Sequence, residues 1–130
     1  MNKIAKIREN RLIQQKGRCC YCQQPMWANN PAKFARKHRI SGKQARFLQA
    51  TAEHLTPRSE GGKDRKANIA AACWFCNTRR HRAKQALSPD LYRRKVQKRM
   101  AGGKWHGLRL GYSASPPAGG RGSETWELAP

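Results

Sequence analysis

Apolar positions near the start of the chain recur at helical spacing. Ile4, Ile7, Leu12 and Ile13 fall on one side of a run otherwise rich in Lys and Arg, which predicts a helix over residues 2–16 ended by Gly17. Residues 23–40 carry no clear periodicity and read as a polar, basic connection, after which Ser41 suits the cap of a short helix from Lys43 to Leu48. The period then changes to two. Leu48, Ala50, Ala52 and His54 alternate with Gln49, Thr51, Glu53 and Leu55, the pattern of a short strand. Pro57, Gly61 and Gly62 interrupt it as a loop, and Asn68 to Ala72 reads as the returning strand. From Trp74 through Lys84 the pattern is helical again, with basic residues outward. Ser88-Pro89-Asp90 starts a last helix carrying Arg93, Arg94, Lys95, Lys98 and Arg99, with Pro at the first helical position and an acid in the first turn. Residues 101–130 turn to Gly, Ser, Pro and Ala, a composition expected to stay disordered. The order of elements predicts an α+β domain over residues 1–100, with its core at about 17–85.

Composition narrows the partners. The chain has 130 residues and 38% hydrophobic residues, with a mean hydropathy of -0.93, enough for one modest core that a metal staple would help to hold. Lys and Arg number 28 against 7 Asp and Glu, a net charge of +21. Such a chain is drawn to polyanions, and nucleic acid is the expected partner. A membrane is not, because there is no long apolar run and the basic segments lack a broad apolar face. The opening Met1-Asn2-Lys3-Ile4-Ala5-Lys6 has no apolar stretch of the secretory type, so a cytoplasmic, reducing location is expected. Five cysteines there point to metal ligation before disulfides.

Two cysteine pairs have the spacing of zinc knuckles: Cys19 with Cys22, and Cys73 with Cys76. A two-residue gap lets both sulfurs of a pair reach one tetrahedral ion, and two pairs complete it. Cys20 is left as the spare thiol. Between the pairs lies Ala52-Glu53-His54-Leu55-Thr56-Pro57, then Gly61-Gly62, then Asn68, and Asn77 directly behind Cys76. This arrangement resembles the HNH endonuclease family, in the subgroup whose ββα-metal motif is pinned by a four-cysteine zinc site. The resemblance covers roughly residues 10–85. It implies a structural zinc held by Cys19, Cys22, Cys73 and Cys76. It also implies His54 as general base, Glu53 and Asn77 as ligands of a catalytic divalent ion, and Asn68 as a brace of the loop between strands. Elementary chemistry agrees with that division of labour, since phosphodiester hydrolysis needs a base for water and a cation for the developing charge. A strand sets Glu53 and His54 on opposite faces. One carboxylate, one amide and waters suit a hard ion such as magnesium or manganese.

The sequence departs from the common family pattern in having Glu53 where Asp is more frequent, Asn77 in place of a final His, and a long connection from Cys22 to Glu53. Residues 27–47 read as an insertion. Arg79, Arg80, Arg82 and Lys84 follow the motif and are the candidate phosphate contacts. Trp27, Phe34 and Trp74 are candidate base-stacking residues, although core packing suits Trp74 and Phe75 better, and His81 is a phosphate contact or a bystander. Taken singly, each of these residues has a bland reading as surface pair, turn residue or solvated face; their order and spacing together favour the nuclease. The resulting expectation is a metal-dependent endonuclease acting on nucleic acid, most readily DNA. The competing reading is a non-catalytic zinc module that binds DNA or RNA within a larger assembly.

Overall fold

The computed structural model describes residues 2–110. Its centre is a two-stranded antiparallel sheet, β1 (Ala50–His54) and β2 (Ile69–Cys73), in the register Ala50 to Cys73, Ala52 to Ala71 and His54 to Ile69. A helix over Trp74–Arg80 follows β2 without a gap and packs on both strands, completing the expected ββα unit. In chain order the helices are α1 (Lys3–Gln14), α2 (Pro31–His38), α3 (Gly42–Phe47), α4 (Trp74–Arg80) and α5 (Pro89–Ala101).

Each start follows from its cap. Asn2 accepts from the Ala5 N–H, and Ser88 accepts from Leu91 with Pro89 behind it. Ser41 forms a full capping box with Gln44. That cap was legible; α2 was not. Residues 23–40 are no featureless connection, because Asn30 caps a helix whose first residue is Pro31. Of α2 only Phe34 is buried, so no apolar stripe announces it.

Helix α1 closes the open edge of β2 with side chains instead of a third strand. The Gln15 amide, just past the end of α1, donates to the Ala71 carbonyl at 2.8 Å and accepts from the Ala71 N–H at 3.0 Å. Arg11 donates to the carbonyls of Ile69 and Lys66. An edge so occupied offers no template for pairing with another chain. Beneath lies a core of Tyr21, Ala45, Leu48, Ala70, Ala71, Ala72, Phe75 and Val96 around the four cysteines.

Residues 102–110 depart from expectation. They fall within the expected disordered tail, yet Leu108 and Leu110 are buried and Trp105 packs edge-on to Phe75 at 5.1 Å. The Leu110 N–H is also anchored on Gln24 Oε1 at 2.6 Å. Their apolar side chains are spaced irregularly among glycines, so neither helical nor strand periodicity exposes them. The rest of the expected tail, 111–130, lies outside the described residues. No described helix is long and apolar enough to cross a membrane.

Candidate functional site

The four paired cysteines converge. Cys19, Cys22, Cys73 and Cys76 are buried, with their sulfurs all within 4.8 Å of one another. The Cys22 and Cys73 sulfurs are 3.9 Å apart, close to the edge of about 3.8 Å that a tetrahedron with zinc–sulfur bonds of about 2.3 Å requires. The cluster fits a structural zinc. It is wrapped in N–H donors of the kind that stabilise thiolates: Cys73 and Tyr21 donate to Cys19 Sγ, Cys76 to Cys73 Sγ, and Trp105 Nε1 to Cys76 Sγ at 3.2 Å. Burial alone would raise the Cys19 thiol, but hydrogen bonds from Cys20, Cys22, Cys73 and Cys76 outweigh it and hold Cys19 well below its usual range. Cys20 stands outside the cluster, and burial pushes its thiol up. Because Cys73 ends β2 and caps α4, the metal fixes the strand–helix joint against the first knuckle.

The second constellation sits at the far end of β1. Glu53 points inward and is fully buried, whereas His54, the last residue of the strand, is partly exposed. Both nonetheless border one open cavity of about 310 Å³, together with Asn77, His81, Pro57, Arg58 and Ser59. Glu53 Oε2 accepts from Tyr21 Oη at 2.7 Å and from Arg80 Nη1 at 3.1 Å, and Oε1 meets His81 Nε2 at 2.6 Å. The Asn77 amide is oriented by its neighbours. Thr51 Oγ1 donates its proton to the Ala72 carbonyl and so accepts from Asn77 Nδ2, which also bonds the Ala52 carbonyl at 3.1 Å. Only the amide oxygen remains for a ligand.

Asn68 stays out of the cavity. It accepts from the Thr56 N–H and donates to the carbonyls of Thr56 and Lys63, tying both ends of the inter-strand loop together. Gly62 fits under that tie because a Cβ there would stand 1.7 Å from the Thr56 carbonyl oxygen. From the same loop, Asp64 Oδ1 meets His54 Nε2 at 2.7 Å, and Arg58 Nη2 bonds both Asp64 oxygens. The hydrogen bond to His54, then those from Arg58, hold the Asp64 carboxyl below its usual range.

The basic group after the motif divides. Arg80 is not a surface cation: it is 2% exposed and donates to Glu53 and to the carbonyls of His54, Leu55 and Leu87. Four of its five N–H groups are taken and its side chain is 1% exposed, so it presents no surface to a phosphate. Helical spacing carried the signal, since Arg80 lies one turn beyond Cys76 on the buried face. Arg79 lies over the Phe75 ring at 3.3 Å, while Arg82 and Lys84 are exposed. The proposed stacking residues are engaged in packing: Trp27 donates to the Ala45 carbonyl, Phe34 packs on His38, and Trp74 lies under Arg46. The sequence does not single out Tyr21 or Asp64, and it offers His81 only as a phosphate contact or a bystander. His81 stands one turn after Asn77, which was its one available signal.

Residues 35–83 match the model of the HNH endonuclease family. That span holds β1, the braced loop, β2, α4 and the second cysteine pair. No curated protein and no solved structure matches the chain.

Proposed function

Starting from an HNH endonuclease domain over residues 35–83, we propose that the protein is a metal-dependent endonuclease that hydrolyses phosphodiester bonds, with DNA as its substrate. The observation carrying this reading is the convergence of Glu53, His54, Asn77 and His81 on one open cavity. A zinc module that merely binds nucleic acid needs none of the four.

In this reading His54 is the general base. Asp64 occupies Nε2, so Nδ1 accepts the proton of the attacking water. Glu53 Oε1 and the free Asn77 oxygen would form a donor set of one carboxylate and one amide, completed by waters and suited to magnesium or manganese; His81 Nε2, which donates its proton to Oε1, keeps that oxygen in place. A divalent ion there supplies positive charge for the phosphate and the leaving oxygen. Arg80 and Tyr21 hold the buried carboxylate with its Oε1 toward His81. Of the expected phosphate contacts, Arg82 and Lys84 keep that role because they are exposed; Arg80 does not.

One observation favours the alternative of a binding module. Glu53 is fully buried under three partners, as a purely structural carboxylate would be. Incubation with supercoiled DNA, linear DNA, single-stranded DNA and RNA separates the two. Cutting with magnesium or manganese that EDTA abolishes supports the nuclease; tight binding without cutting under any of these metals supports the module.

A further inference from the structure

We propose that Asp64 is the positioning residue for His54, locking its imidazole in the tautomer that leaves Nδ1 free. The proposal rests on His54 as general base, and concerns what makes it one. A neutral imidazole has two tautomers, and only the one protonated on Nε2 offers a lone pair at Nδ1. His54 Nε2 lies 2.7 Å from Asp64 Oδ1. A carboxylate accepts and cannot donate, so the proton of the pair belongs on Nε2. Nδ1 has no protein partner among the described residues.

The carboxylate is itself held. Arg58 Nη2 bonds Oδ1 at 3.1 Å and Oδ2 at 3.3 Å, which keeps one edge of the carboxylate turned to Arg58 and Oδ1 shared with the imidazole. The backbone just before Asp64 is fixed by the bond from Asn68 to the Lys63 carbonyl and by the close approach of Gly62 to Thr56. Asn68 and Gly62 thus act on the reaction at one remove, by delivering Asp64 to the ring. The chain spends its acids sparingly, with 7 against 28 cations, and one of them stands on this imidazole.

Carboxylates that orient a metal-ligating histidine typically contribute about 10- to 100-fold in metal affinity or activity, and the same order is expected of one that orients a base. Asp64→Asn puts an amide donor within reach of Nε2, and Asp64→Ala removes the acceptor. Both should lower kcat by roughly 10- to 100-fold while leaving KM within about twofold, with zinc content and melting temperature unchanged. Asp64→Glu should recover part of the loss. The second readout does not require catalysis: long-range proton–nitrogen NMR of the His54 ring should show the Nε2-protonated tautomer in the parent and a mixture in Asp64→Ala. Cleavage by Asp64→Ala at the parental rate, where His54→Ala is inactive, would overturn the proposal. So would an Nδ1-protonated His54 in the parent. If His54→Ala cleaves like the parent, the base assignment fails by itself, and the tautomer spectrum still decides what Asp64 does.

Discussion

Arg80→Met tests how the buried carboxylate is held. Methionine keeps much of the length and apolar volume of the arginine stem, so the change removes charge and hydrogen bonds with little cavity. It strands Glu53, whose side chain is 0% exposed, without its cation. Breaking a buried pair from one side costs about 3–5 kcal/mol, because the remaining charge stays desolvated. Three carbonyls, those of His54, Leu55 and Leu87, also lose a donor. Each buried loss is worth about 1–3 kcal/mol, but these carbonyls lie in or next to loops where water can replace part of it. The expected total is about 5 kcal/mol, comparable to the whole stability of a small domain. Urea unfolding at neutral pH in excess zinc measures it. Adding Glu53→Gln should return part of the loss, since the stranded charge is then gone. A loss below about 1 kcal/mol for Arg80→Met alone would show instead that Glu53 is solvated or protonated in the fold and does not depend on Arg80.

Three further outcomes are expected. Native mass spectrometry should find one zinc per chain, and serine at Cys19, Cys22, Cys73 or Cys76 should abolish folding, since structural zinc contributes on the order of 10 kcal/mol; Cys20→Ser should keep both zinc and fold. Burial pushes His106 down to about 4, and its Nδ1 already accepts from the Leu108 N–H at 3.0 Å, so the ring is neutral in the fold. The unfolded chain therefore takes up this proton first as pH falls. Stability is complete above the unfolded pKa of about 6.5 and is lost toward pH 4, by up to about 3 kcal/mol; urea midpoints should fall less over that window in His106→Phe than in the parent. A chain ending at Leu110 should keep zinc and fold, whereas one ending at Ala101 loses the buried Leu108 and Leu110, at about 1.5–3 kcal/mol each, together with the half-buried Trp105 and its bond to Cys76 Sγ, and circular dichroism should show it largely unfolded.

The parts of the molecule legible in the sequence were those written in spacing. Two cysteine pairs announced the metal cluster, and the change from alternation to helical period announced β1, β2 and α4. Caps placed α3 and α5 to within a residue or so. What escaped was written in three dimensions. Helix α2 has one buried side chain and so no stripe. Arg80 was grouped with its basic neighbours, although the helical face shared with Cys76 separates it from Arg79 and Arg82. Asp64 gave no local signal because its partner, His54, is brought to it by a loop whose shape depends on Asn68 and Gly62. Residues 102–110 resemble a tail in composition, and only the core they cover shows otherwise.

Single-turnover cleavage of supercoiled DNA by His54→Ala shows whether His54 takes the proton from water. Glu53→Gln serves as the internal comparison, and metal concentration is varied for both. Zinc content and DNA affinity, measured on the same preparations, should match the parent for His54→Ala. The expected rate is lower by roughly 100- to 10,000-fold, the usual contribution of a positioned base. Added magnesium or manganese should not restore it, whereas it should restore part of the activity of Glu53→Gln. A His54→Ala protein that cuts as fast as the parent would show that His54 is not the base.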